Sequence, residues 1–200
     1  MGLISNGTTI FDLGATSAGI GSGMKFMKKL TASGSATLSF VHGSGGVDFS
    51  SYKEYMFTFN NIHPAGSQHF EFQGSTDGGS SYGVTMTTTF FQAYHNEADS
   101  ATALAYSAGN DIVQGTGFQR LMKITTDNDF NCGGTLTLFN PSSTTFVKHF
   151  ISNCNGNNAS YSQNEFSAGY FNTTSDIDAV QFRMASGNID AGDICLYGIA

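Results

Sequence analysis

Tyr55, Phe57 and Phe59 alternate with Met56, Thr58 and Asn60 in the middle of one stretch of the chain. A two-residue period with aromatics on one side places those rings on one face of an extended strand. The segment Asn60 to Gly66 should close that strand, because Pro64 lacks an N–H for a ladder and Gly66 permits a turn. Phe70 and Phe72 then restart the same period, and Asp77-Gly78-Gly79 supplies residues that tolerate positive φ. This reading expects an antiparallel hairpin whose Tyr55, Phe57, Phe59, Phe70 and Phe72 lie in the core.

The pattern elsewhere is of the same kind. Met24–Leu30, Ala36–Val41, Val84–Tyr94, Phe118–Thr125, Gly134–Phe139 and Thr145–Ser152 read as strands, as do Phe166–Asn172, Ile177–Met184 and Asp193–Ile199. Residues 96–110 carry alanines without an amphipathic repeat and read as a loop with at most one helical turn. Asn153 to Gln163 is polar and reads as a surface loop. About ten strands separated by frequent turn signals, with no dependable helix, predict an all-β, jelly-roll-like antiparallel β-sandwich. The sandwich is expected over 31–200 and an extended N-terminal attachment arm over 1–30. In the arm, Gly, Ser, Ala and Thr dominate, with Ile4, Ile10, Phe11 and Leu13 as spaced apolar anchors.

Composition narrows the functional classes. Two hundred residues suit one domain, which at this size buries roughly 70% of its unfolded surface without disulfides or metal. Charged residues are 12% of the chain, well under the usual ~25%, which points to surface covered by partner subunits. A net charge of −7 argues against nucleic acid as the main ligand. The charge is uneven: Lys25, Lys28 and Lys29 face only Asp12 in residues 1–30, giving +2, and the remainder carries −9. Cys132, Cys154 and Cys195 form no CxxC and read as buried thiols of a chain made in a reducing cytosol. The sequence reads without a secretory signal or an apolar run long enough to enter a membrane.

Candidate chemistry is sparse. Asp127 to Asn131 places oxygens at alternate positions, but Cys132 and Leu138 stand where a calcium loop needs Gly and a carboxylate. His42, His63, His69, His95 and His149 are scattered, with no HxxxH or HExxH pair, and no nucleophile elbow or phosphate loop occurs. No catalytic, metal or cofactor site is therefore expected. Tyr94, Tyr106 and Tyr161, in or near expected loops, are candidates for stacking on a sugar ring.

The runs Phe26-Met-Lys-Lys-Leu-Thr-Ala-Ser33, Ala36-Thr-Leu-Ser-Phe40 and Tyr52-Lys-Glu-Tyr-Met-Phe-Thr-Phe-Asn-Asn-Ile-His-Pro64 resemble small virion proteins of tailed bacteriophages, marine phages in particular. The bend from Ser75 to Tyr82 and the ending from Ser186 to Ile199 are similar to that group as well. The resemblance spans most of the chain from residue 24 and brings no catalytic motif. It implies a non-enzymatic β-sandwich, assembled in the host cytoplasm into the virion, on the head surface or in the tail and its fibres. It further implies a homo-oligomer, a trimer by the style of the group, in contact with other virion proteins. A receptor-binding tail protein that holds a host-surface glycan is the alternative.

Overall fold

The computed structural model describes residues 3–5, 8–11, 23–125 and 127–200. Strands β1 (Leu3–Ser5) and β2 (Thr8–Phe11) pair antiparallel with each other. The sandwich then uses β3 (Met24–Ser35), β4 (Thr37–Val41), β5 (Glu54–Pro64), β6 (Gln68–Ser75), β7 (Met86–Asn96) and β8 (Thr102–Tyr106). It continues with β9 (Gln119–Ile124), β10 (Cys132–Phe139), β11 (Lys148–Asn158), β12 (Tyr161–Phe171), β13 (Ala179–Met184) and β14 (Ile189–Ile199). No helix occurs among the described residues.

One sheet has eight strands in the order β3-β14-β5-β10-β11-β12-β7-β8, and the other has four in the order β4-β13-β6-β9. Without β7, β8, β11 and β12, the order β3-β14-β5-β10 faces β4-β13-β6-β9. This is the interleaved double Greek key of a jelly roll. The remaining four strands enter as two insertions, β7–β8 after β6 and β11–β12 after β10, and both extend the larger sheet beyond the smaller one.

Period-two burial follows the aromatic alternation. Tyr55, Phe57 and Phe59 of β5 and Phe70 and Phe72 of β6 are all buried. The two strands do not form the expected hairpin, however: β5 pairs with β14 and β10, and β6 pairs with β13 and β9. The chain crosses between sheets at residues 65–67, so the rings meet across the core instead of along a ladder. Phe59 stands edge-on to Phe70 at 5.1 Å, and Phe182 of β13 lies 5.2 Å from Phe57 and 5.3 Å from Phe59. On the flank, Phe72 meets Phe150 edge-on at 4.9 Å.

Three further expectations change. Residues 102–106, read as loop, form the edge strand β8, hydrogen-bonded to β7 with Gln92 opposite Ala105 and Tyr94 opposite Ala103. Asn153 to Gln163, read as a polar loop, is the tip of the β11–β12 hairpin, with Asn155 opposite Asn164 and Gly156 opposite Gln163. One of its inward positions, Gly156, has no room for a side chain. A Cβ on Gly156 would lie 2.9 Å from Cys132 Cβ and 3.1 Å from Met122 Cε. The arm boundary expected at residue 30 falls inside β3, whose Met24 to Leu30 pair with β14 from Ile199 back to Ile194. Of the arm anchors, Ile4 lies on β1, Ile10 and Phe11 lie on β2, and Leu13 is outside the described residues.

Candidate functional site

β9 is the edge of the smaller sheet and packs against β11 and β12 of the larger one. Beyond β9 the inward faces of β12 and β7 overhang, and a cleft of about 330 Å³ opens there. Gln92 and Tyr94 come from β7, Asn158, Tyr161 and Gln163 from β11 and β12, and Arg120 and Lys123 from β9. Ser107 and Asn110 close it from the β8–β9 loop. Inward residues of an uncovered sheet have no apolar partner layer, so polar side chains occupy positions that are aromatic further along the sandwich.

The floor is a connected polar network. Glu165, fully buried on β12, accepts hydrogen bonds from Arg120 Nε at 2.9 Å and Nη2, and from Gln163 Nε2 at 2.6 Å. Burial pushes the Glu165 carboxyl above its ordinary range, while the Arg120 guanidinium opposes the shift. Gln163 also donates to Gln92 Oε1 at 3.0 Å and accepts from Asn158 Nδ2 at 2.6 Å. Arg120 Nη1 donates to Asn110 Oδ1 at 3.0 Å, and its guanidinium lies 5.2 Å from the centroid of the Phe90 ring. The loop wall is pinned from beneath. Buried Gln119 donates to the Asn110 carbonyl at 3.1 Å and accepts from Thr88 Oγ1 at 2.6 Å, and Thr88 Oγ1 accepts from the Ile112 N–H at 2.7 Å.

Of the three candidate tyrosines, the structure brings two together. Tyr94 and Tyr161 stand edge to face at 5.4 Å on the cleft wall. Tyr106 ends β8 away from the cleft, exposed, with its hydroxyl donated to Asp111 at 2.5 Å. That bond to a carboxylate holds the phenol pKa above its usual value. The sequence reading missed Arg120, Lys123, Gln163 and Glu165. The available signal was the placement of Gln163, Glu165 and Ser167 at alternate positions running into Phe171, which marks a polar run on a core-facing stripe.

Chemically the cleft offers amide and hydroxyl groups, two aromatic faces and two cations. Beneath the lining, the Glu165 carboxylate has both oxygens engaged, and the paired carboxylates of glycoside hydrolysis are not among the lining residues. Elsewhere, burial pushes the Cys154 thiol up to about 12 and the Cys132 thiol well above its ordinary value, which leaves both inert at neutral pH. No protein-family model matches the chain, and no curated protein matches it either.

Proposed function

We propose that this chain is a non-catalytic structural subunit of a tailed-phage virion that assembles as a homo-oligomer through the outer face of its sheet extension. One observation carries the reading. The outward positions of β11, β12, β7 and β8 hold no Asp, Glu, Lys or Arg. In their place stand exposed Ile151, Leu104 and Phe91, the last stacked on Phe166 at 4.6 Å. An uncharged, partly aromatic face on a chain of net charge −7 suits burial against another copy and is poorly suited to solvent. The jelly roll recurs in viral shells and in lectins, which supports the virion setting by analogy of fold alone. Light scattering after size-exclusion chromatography tests the assembly: the wild type should elute as a trimer and Leu104→Asp as a monomer. A monomeric wild type would end this reading, and cryo-electron microscopy of virions lacking density for the chain would end its virion setting.

The second reading, a host-glycan-binding tail protein, rests on the pairing of Tyr94 with Tyr161 above a hydrogen-bonding floor. Aromatic faces meet the C–H side of a pyranose, and planar amides match its hydroxyls. Tyr94→Ala and Tyr161→Ala should reduce adsorption to host cells with the fold intact, and unchanged adsorption in both would remove this reading.

A further inference from the structure

We propose that the cleft selects anionic saccharides, with a pyranose ring against Tyr94 and Tyr161 and its acidic group on Lys123. The proposal rests on the glycan-binding reading and adds the charge of the ligand. Of the two cations lining the cleft, Arg120 is already neutralised by Glu165, which it engages through Nε and Nη2. Lys123 makes no ion pair among the described residues and is only partly buried. No Asp or Glu lines the cleft. The balance at this spot is thus one uncompensated positive charge on a chain that is otherwise strongly acidic. A neighbour responds to the same field. His69, directly opposite Lys123 across the β6–β9 ladder, is held below its ordinary pKa by burial first and then by Arg120 and Lys123.

Discrimination follows from desolvation. A neutral sugar seated on the tyrosines would cover the Lys123 ammonium and return only hydroxyl contacts to a strongly hydrated ion. An anionic group replaces that water with a charge-assisted hydrogen bond of greater strength. The amides of Gln92 and Asn158 remain for the ring hydroxyls in either case. A site that favours one ligand and penalises its neutral twin gains specificity from both sides.

The test is calorimetric titration of the full chain with uronate-bearing, sialate-bearing and sulfated oligosaccharides, each beside its methyl-esterified or desulfated partner. Carboxylated and sulfated ligands are separate arms, so the source of the anion is read directly. At least one charged member should bind tenfold or more tighter than its neutral partner, and Lys123→Gln should abolish that advantage without moving the melting temperature. Equal affinity for charged and neutral partners, or an advantage that survives in Lys123→Gln, overturns the inference and leaves glycan binding standing. Absence of binding to every saccharide, charged or neutral, overturns both.

Discussion

Replacing Arg120 with Met should expose how much of the cleft floor depends on one ion pair. Glu165 has no exposed surface and the Arg120 side chain is 10% exposed. At the 2.9 Å separation of Arg120 Nε and Glu165 Oε2, two unit charges attract by about 6 kcal/mol at an effective dielectric of ~20. Desolvation of both ions offsets much of that, so the intact pair is worth little against an apolar substitute. A buried carboxylate left alone is a different matter, and breaking such a pair costs about 3–5 kcal/mol. Arg120→Met should lose that amount at pH 7. The loss should also depend on pH, with a sign that can be fixed in advance. Burial already raises the Glu165 pKa above its ordinary 4.5, and removing the opposing cation raises it further. A raised carboxyl binds its proton more tightly when folded. The stability that proton confers is full below the unfolded value and disappears as pH climbs through the folded one. The penalty of Arg120→Met should therefore be small near pH 4 and reach its full size by neutrality. Urea melts of wild type, Arg120→Met, Glu165→Gln and the double variant between pH 4 and 8 provide the measurement. Subtracting wild type at each pH removes the titration of the other carboxylates. The double variant, with no orphaned charge, should return to within about 1 kcal/mol of wild type. A loss below about 1 kcal/mol in Arg120→Met that is flat with pH would refute the reasoning.

Three other outcomes are expected. Phe57→Ala and Phe59→Ala should each cost about 3–5 kcal/mol in denaturant melts, and the outward Thr58→Ala under about 1 kcal/mol; equal small losses would contradict the inward placement of the rings. Gly134→Ala should cost about 1–3 kcal/mol and speed amide exchange along β10 and β11, because its Cβ would lie 2.5 Å from the Asn153 carbonyl oxygen and 2.7 Å from Cys154 Cα. Deletion of residues 1–22 should leave the melting temperature of the sandwich unchanged while oligomers or incorporation into particles fail. Normal assembly of the shortened chain would make the arm dispensable.

The parts of the fold that the sequence revealed are those where alternate burial is written in apolar side chains. β5, with Tyr55, Phe57, Phe59 and Ile62 buried, is legible because solvent and core sort its residues by polarity. Sheet membership is not written there. The Asn60–Gly66 turn signal is the same whether the chain folds back along a ladder or crosses to the opposite layer, so the sequence pairs β5 with β6 although they lie in opposite sheets. β8 was missed because an edge strand exposed on both faces, Thr102 to Tyr106, shows no alternation to read. The β11–β12 tip is hard to read because Gly156 stands at an inward position where a Cβ would crowd Cys132 and Met122, and polar Asn158 and Gln163 line the cleft at others. The two cleft tyrosines, Tyr94 and Tyr161, are legible as residue types. Arg120, Lys123 and Glu165 are not, because 45 residues separate Arg120 from Glu165 and only the packing of β9 on β12 joins them.

Both proposals for this molecule sit on the same four inserted strands, and the geometry keeps them separable. The eight strands that remain without β7, β8, β11 and β12 already make a closed pair of sheets with the Phe57, Phe59, Phe70 and Phe182 cluster between them. The insertions add an apron that the smaller sheet covers only in part, through β9 against β11 and β12. Where β12 and β7 run past β9 their inward face is polar, through Gln92, Gln163 and Glu165, while Phe150 of β11 and Phe171 of β12 still pack on Phe72 of the smaller sheet. The apron's outward face meets the same solvent in a lone copy, yet it holds no Asp, Glu, Lys or Arg and carries exposed Phe91, Leu104 and Ile151. Strand period two assigns the functions by parity: on β7, Gln92 and Tyr94 turn to the cleft, while Phe91 and Ala93 turn outward. Substitutions at adjacent positions of one strand should then move different observables. Tyr94→Ala should alter ligand affinity and leave the oligomer alone, and Phe91→Asp should do the reverse. If both variants lost both properties together, the apron would be acting as a single unit, and the division of its faces would be wrong.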